Sequence, residues 1–402
     1  MCEERKWEYN LNKFNTKIGE YYGIPTPNFS SFRDCFEYIS GQDRRPIIVI
    51  DEFSYLMKNR DIPGEFQGIV DEILPESEIK LILSGSAVSM MKKDLLGSGS
   101  PLYGRTTSHL SLQPLKFRDV LIWFKGIDPE DAVKIFGVCD GIPKYLEFFR
   151  GKDVGDEIKR NLFNPDGFLF REPKLLLEEE LREPATHHQI LEAISLGHTR
   201  VTDIANYSYM EAKDVVPYIT MLIDLGFVRK ERSVLSKKRK RGLYRIRDNL
   251  FRFWFRFVSP HFAEIESWTK EGAVEGFEEH FNHYLGEVFE DICRQYLLAD
   301  VGYSTIGSWW HKEDEIDIVA LSQNGNNILF GECKWTEKKV DLPILKMLKE
   351  KAKKVKWKNE ERVENFAIFS KKGFTDRLIQ ASSDDNRIAL YSIDDMYRSI
   401  AR

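Results

Sequence analysis

Three residues near the C-terminal end have the types and spacing of a phosphodiester-cleaving centre. Asp317 stands in Glu-Ile-Asp-Ile-Val, and fifteen residues on, Glu332 and Lys334 stand in Phe-Gly-Glu-Cys-Lys-Trp. Residues two apart on a strand share a face, so Glu332 and Lys334 project together. Two carboxylates from neighbouring strands can hold Mg²⁺, with waters in the remaining octahedral positions. The ion acidifies a bound water for attack on phosphorus, and the lysine steadies the charge that develops. Glu290 in Val-Phe-Glu-Asp-Ile, or Glu287 one turn earlier, would complete the acidic cluster. A second acidic pair, Asp51 and Glu52, ends the aliphatic run Ile47–Ile50. In that place the first acid suits the magnesium of a bound nucleotide and the second the polarisation of the attacking water. Each motif has a plainer reading. Exposed strand faces often carry Glu and Lys, and a buried strand can end in a polar cap.

The C-terminal residues need a sheet to carry them. A helix over 279–298 leads to three strands, at 303–310, 315–321 and 327–335, the last two joined at Asn324-Gly325-Asn326, a strong hairpin turn. Ile316 and Ile318 set an apolar face from which Asp317 points away. A lysine-rich helix at 342–356 and a strand at 363–369 follow. Helix, three strands, helix, strand is the core order of the PD-(D/E)xK nucleases. Lys346, Lys349, Lys351, Lys353, Lys354, Lys356 and Lys358 either grip a DNA backbone or form the solvated face of an ordinary helix.

Asp51 and Glu52 need a buried parallel strand, since ligands of open α/β sheets bind at the carboxyl ends of the strands. Pro46–Phe53 reads as such a strand, covered on both faces. Helices at 5–22 and 31–40 precede it, a helical segment at 63–74 follows, and a second buried strand, Lys80–Leu83, ends in Ser84-Gly85-Ser86. Next come Tyr103-Gly104-Arg105, an apolar–polar alternation to Leu115, and a largely helical stretch at 117–183. Within that stretch Gly141-Ile142-Pro143-Lys144-Tyr145-Leu146 starts a new helix at Pro143.

Taken in order, the acidic strand end, Leu-Ser-Gly-Ser, Tyr-Gly-Arg and Gly-Ile-Pro-Lys-Tyr-Leu resemble the archaeal-type ATPase family, which are signal-transduction-like P-loop NTPases. The resemblance implies ATP and Mg²⁺ as ligands. It makes Asp51 the magnesium ligand, Glu52 the catalytic carboxylate, Ser84 or Ser86 the sensor of the terminal phosphate, and Arg105 a phosphate contact. It also implies a winged helix and a nuclease-like module downstream. The sequence departs from the family in one respect: it contains no G-x-x-x-x-G-K-[ST], the loop whose amides cradle phosphates. The expectation is a truncated product, a misplaced start, or a split gene whose upstream-encoded partner supplies the loop. ATP binding by this chain alone should then be weak or absent.

Between these ends, 187–257 reads helix, helix, helix, hairpin. A basic tip, Lys237, Lys238, Arg239, Lys240 and Arg241, lies in the hairpin. Twelve Lys or Arg against two acids between Arg229 and Arg256 suggest an electrostatic footprint for DNA. The candidate recognition helix carries Glu211, Asp214 and Asp224 with only Lys213 as a base, so contact through the hairpin tip without sequence preference is expected. The alternative is an intramolecular clamp. Leu250–Phe257 interleaves aromatics with arginines. It could stack on single strands, but the packing of a joining element is the preferred reading.

The bulk composition fits these readings. The 402 residues are 42% hydrophobic and 31% charged with a net charge of −5, and no apolar run is long enough to cross a bilayer. Five scattered cysteines form no C-x-x-C pair and suit a reducing cytoplasm. The expected fold class is α/β. It comprises an incomplete P-loop NTPase parallel sheet (1–112) with a helical lid (113–183), a winged helix-turn-helix (184–258), and a restriction-nuclease-like αβββαβ module (259–402). Function divides between an ATP-regulated, DNA-associated protein that cleaves with Mg²⁺ and a non-catalytic interaction protein.

Overall fold

The computed structural model describes residues 1–44, 46–85, 91, 95, 97–181, 183–235, 242–301, 303–311, 313–322 and 325–400. Lys237, Lys238, Arg239, Lys240, Arg241, Ser86 and Asn324 lie outside the described residues. The chain forms two compact units, Met1–Leu112 and Gln113–Arg402.

In the first unit, α1 (Trp7–Tyr22) buries Leu11 and Ile18 and stops at Gly23. The φ of Gly23, 68°, lies in the left-handed region that glycine enters without a Cβ clash. Ser31 caps α2 (Phe32–Ser40) by accepting the Asp34 N–H. After β1 (Ile47–Ile50) and a short 3-10 turn come α3 (Ile62–Gly68) and β2 (Lys80–Leu83). The strands pair in parallel, Ile47 opposite Lys80 through Ile50 opposite Leu83. Coverage on both faces was expected for β1, and only one face has it. Ile48 and Ile50 share a core with α1, α2 and α3, whereas Ile47, Val49 and Ile82 are 63%, 57% and 50% exposed. The cause is that the helices lie on one side and, among the described residues, the sheet has only these two strands. The alternating stretch before Leu115 forms no strand, and Leu110 and Leu112 are exposed.

The second unit begins with α4 (Phe117–Trp123), α5 (Pro129–Cys139), α6 (Pro143–Leu146), α7 (Val154–Leu162) and α8 (Phe168–Glu180). Asp128 caps α5, taking the N–H groups of Glu130 and Asp131. Gly141 explains its own motif. A Cβ there would stand 1.9 Å from the Leu115 carbonyl oxygen, because the Leu115 N–H donates to Gly141 O at 2.8 Å. Then follow α9 (Pro184–Ser195), α10 (Val201–Tyr207), α11 (Ala212–Asp224) and an antiparallel pair, β3 (Val228–Glu231) with β4 (Leu243–Ile246). Asp248 caps α12 (Asn249–Phe253). The aromatic run is core: Leu250, Phe251, Phe253, Trp254, Phe255 and Phe257 are buried, and Trp254 Nε1 donates to Phe170 O at 2.7 Å. These rings are packed inside and present no stacking platform.

A short α13 (Phe262–Glu266) precedes the long α14 (Glu271–Tyr296) and a five-stranded sheet. Its strands are β5 (Thr305–His311), β6 (Asp314–Leu321), β7 (Asn327–Lys334), β8 (Val363–Ser370) and β9 (Ile388–Ser392), side by side in that order. The first two pairings are antiparallel and the last two parallel. Helix α14 packs on β6 and β7, and α15 (Leu342–Lys353) packs on β6, β7 and β8, each with its own apolar cluster. Helix α16 (Asp376–Asp384), β9 and α17 (Ile393–Ile400) extend the order read from the sequence. Among the described residues no helix is long and apolar enough to cross a membrane.

Candidate functional site

In the first unit, Asp51 follows β1 and Ser84 follows β2, so both stand at the carboxyl ends of parallel strands. Ser84 Oγ donates to Asp51 Oδ1 at 2.7 Å. Backbone bonds fix the pair: Ser84 N–H to Ile50 O at 3.1 Å and Phe53 N–H to Ser84 O at 2.8 Å. Glu52 between them has φ 54° and ψ 45°. A left-handed glutamate costs on the order of 1–3 kcal/mol, and such strain gathers at sites where direction matters. The Ser54 hydroxyl donates to Glu52 Oε2 at 3.4 Å. Arg105, expected at a phosphate, is engaged elsewhere. Its Nε meets both Asp71 oxygens at 2.7 and 2.9 Å, and it donates to Pro101 O at 2.9 Å.

In the second unit the β-sheet brings Asp317, Glu332 and Lys334 together through a slip in register. Gly307 pairs with Val319, but Trp309 pairs with Ile316, so Asp317 and Ile318 share the space opposite Ser308. A bulge of this kind re-aims a side chain. It corrects the expectation that Ile316 and Ile318 share one apolar face, since Ile318 packs in the α14 cluster and Ile316 in the α15 cluster. Asp317 Oδ2 accepts the Cys333 N–H at 2.8 Å, which ties it to β7 between Glu332 and Lys334.

Glu332 is 3% exposed and carries an ammonium on each oxygen. Lys334 Nζ lies 2.7 Å from Oε1, and Lys351 Nζ of α15 lies 3.3 Å from Oε2. Burial raises Asp317 to about 6, with the Glu332 carboxylate adding to the effect. Burial works against the charge on Lys334, yet Glu332 and Asp317 together hold its pKa above the ordinary lysine value.

The expected third acid, Glu290, lies near enough to Asp317 to feel its charge but is paired with Arg294. Glu290 Oε2 accepts from Arg294 at 2.8 Å, and burial followed by the Asp317 carboxylate lifts Glu290 to about 8. Glu287 faces Arg245 and Arg252 instead. Among the described residues no three His, Cys, Asp or Glu side chains converge on a common point. The donor set that remains, two carboxylates on adjacent strands, fits a magnesium ion in ligand type.

Among the described residues of the basic stretch, Arg229, Arg245, Arg252 and Arg256 are engaged within the protein. Asp291 of α14 meets Arg229 at 3.2 Å, Arg252 at 3.6 Å and Arg294 at 2.9 Å. Burial would raise this carboxyl, and those arginines carry it below the usual range. Arg245 pairs with Glu231 at 2.7 Å, and Arg256 donates to Ser195 O. On α15 and its C-cap, Lys353 pairs with Glu350, Lys349 with Asp385 and Lys354 with Asp314. Arg294 was not singled out from the sequence, and Lys351 was named only among the helix lysines that could grip a DNA backbone. Lys351 had a signal, because it falls on the inward stripe of Leu345, Leu348 and Ala352.

Residues 4–149 match an ATPase domain predominantly from Archaea, and residues 254–366 match a family of archaeal and bacterial proteins of unknown function. The chain belongs to the archaeal-type ATPase family. The uncharacterized protein MJECL04 of Methanocaldococcus jannaschii is 36% identical over 336 residues, covering 81% of this chain and 76% of that protein. A second uncharacterized protein of that organism, MJ0424, is 40% identical over 57 residues, covering 13% of this chain and 55% of that protein. The crystal structure of protein VC1899 from Vibrio cholerae aligns with a TM-score of 0.23 at 11% identity, over 75% of this chain and 63% of that one.

Proposed function

We propose that this ATPase-family chain is a nucleotide-linked switch joined to a DNA-associated module that cleaves phosphodiesters with Mg²⁺. The observation that carries the cleavage reading is the meeting of Asp317, Glu332 and Lys334, two carboxylates and an ammonium from adjacent strands, with Lys334 Nζ 2.7 Å from Glu332. Asp317 and Glu332 would hold the ion, which when bound supplies an acidified water and a Lewis acid at the phosphoryl oxygen. Asp317 is aimed by its bond from the Cys333 amide. Lys334 steadies the extra charge as the water oxygen bonds to phosphorus and the phosphorus–oxygen bond to the leaving sugar oxygen breaks. The leaving oxygen takes a proton, and the products are a phosphate monoester and a hydroxyl.

On the nucleotide side, Asp51 would hold the magnesium of ATP, Glu52 would polarise water, and Ser84 would report the terminal phosphate. The Ser84–Asp51 bond supports this assignment. The 402 residues themselves contain no G-x-x-x-x-G-K-[ST] loop, and no residue is assigned that role. DNA contact is assigned to Lys237–Arg241, since Arg229 and Arg245 are paired within the protein. The winged-helix reading rests on three helices followed by an antiparallel pair. A metal-dependent nuclease assay of the wild type against Asp317→Ala and Lys334→Ala tests the proposal. Cleavage that both changes abolish supports it, and cleavage that neither alters removes it.

A further inference from the structure

Lys351 occupies an odd place for a lysine. It rises from the face of α15 that carries Leu345, Leu348 and Ala352 toward the sheet, and its side chain is only 19% exposed. Lysines near a surface normally bury the stem and keep the ammonium in water. Here the ammonium approaches Glu332 Oε2 at 3.3 Å although Lys334 already neutralises the same carboxylate from Oε1 at 2.7 Å. Placing a second cation against an already paired acid gains less attraction than the first one did, while its own desolvation still has to be met. The neighbouring lysines reach other acids: Asp314 for Lys354 just past α15, Glu350 for Lys353, and, for Lys349, Asp385, which also pairs with Arg387. Lys351 alone of these four is spent on an acid that has another lysine.

We infer that Lys351 keeps the place of a divalent cation on Glu332 in the resting site and turns to the phosphate of the nucleic-acid substrate when Glu332 takes that cation. The inference rests on the magnesium-dependent cleavage reading given above. Glu332 Oε2 is an anionic oxygen for which an ammonium and a metal ion compete. An ammonium released from it stays within the reach of its four-carbon stem and donates up to three hydrogen bonds. A non-bridging phosphate oxygen is the acceptor such a freed group would serve. Lys334 remains on Oε1 and keeps Glu332 oriented. Lys351 therefore opposes metal binding and assists cleavage, a combination that a purely structural lysine does not produce.

Mn²⁺ alone, titrated calorimetrically into the full chain, separates the two effects. Lys351→Met should bind Mn²⁺ about tenfold more tightly than the wild type, the factor that 1.4 kcal/mol of relieved competition gives. The same variant should cleave duplex DNA about a hundredfold more slowly, the usual loss for one donor to a developing oxyanion. Lys351→Arg keeps the charge and should restore wild-type Mn²⁺ affinity and most of the cleavage. Unchanged or weaker Mn²⁺ binding by Lys351→Met, or a wild-type cleavage rate in that variant, overturns the role of Lys351 and leaves the cleavage reading standing. A wild type that neither binds Mn²⁺ nor cleaves overturns both. If Lys351→Met does not fold, a folded Lys351→Arg that fails to cleave overturns the inference.

Discussion

Arg294 joins the long helix to the strand of Asp317: its guanidinium donates to the Asp317 backbone carbonyl at 2.9 Å. The same group holds Glu290 at 2.8 Å and Asp291 at 2.9 Å. Arg294→Met would leave two acids with a partner lost and the bulge unsupported. Breaking a buried ion pair from one side costs about 3–5 kcal/mol. Urea unfolding of the variant should show a loss of that order, and a loss under 1 kcal/mol would mean that the carboxylates find other partners.

Asp248 and Asp140 set a pH dependence. Asp248 caps α12, and Asp140 accepts the Asn249 N–H at 3.1 Å one residue along. Burial and then the Asp140 carboxylate raise Asp248 to about 7 from an ordinary 3.8. A carboxyl whose folded pKa lies above its unfolded one binds more protons when folded. Stability from this group is therefore greatest in acid and falls as pH rises from about 4 to about 7, then levels off. Asn is as good an N-cap as Asp. Asp248→Asn should melt close to the wild type at pH 4 and clearly higher at pH 8. Equal differences at both values would exclude the linkage.

Gly141→Ala places a methyl where the Leu115 carbonyl oxygen would be 1.9 Å away. Backbone on both sides leaves nothing flexible to yield. Overpacking usually costs about 1–3 kcal/mol, and this site should lie at or above that range. Chemical denaturation at constant pH measures it. A neutral substitution would show that the segment before α4 can move aside.

If the hairpin tip touches DNA, charge reversal across Lys237–Arg241 should flatten the dependence of affinity on salt. Arg229→Gln should leave that dependence unchanged, because Arg229 is spent on Asp291. A comparable flattening by Arg229→Gln would move the contact onto the body of the hairpin.

Much of the architecture could be read from periodicity. The strands carrying Asp317 and Glu332, the lysine-rich helix and the buried aromatic run 250–257 were all placed from their patterns. Three features were out of reach, each for a physical reason. The slip at Asp317 is a matter of which residues face each other across two strands, and Ile316 and Ile318 alternate correctly in the sequence even though they enter different cores. The charge count after Arg229 includes Arg229, Arg245 and Arg252, whose acid partners Glu287 and Asp291 lie on α14, far along the sequence. The exposed side of β1 depends on what lies over a strand, which four aliphatic residues in a row do not encode.

The cluster of Asp317, Glu332, Lys334 and Lys351 holds two acids and two bases, with both lysines on Glu332 and Asp317 beside them on the Cys333 amide. Its formal charges cancel when all four are ionised, so at a distance it presents little net field. Long-range attraction, which speeds association in proportion to charge and fades with ionic strength, is weak for such a group. Capture by this cluster itself would be a short-range event, which leaves any salt dependence of association to charges elsewhere, such as Lys237–Arg241.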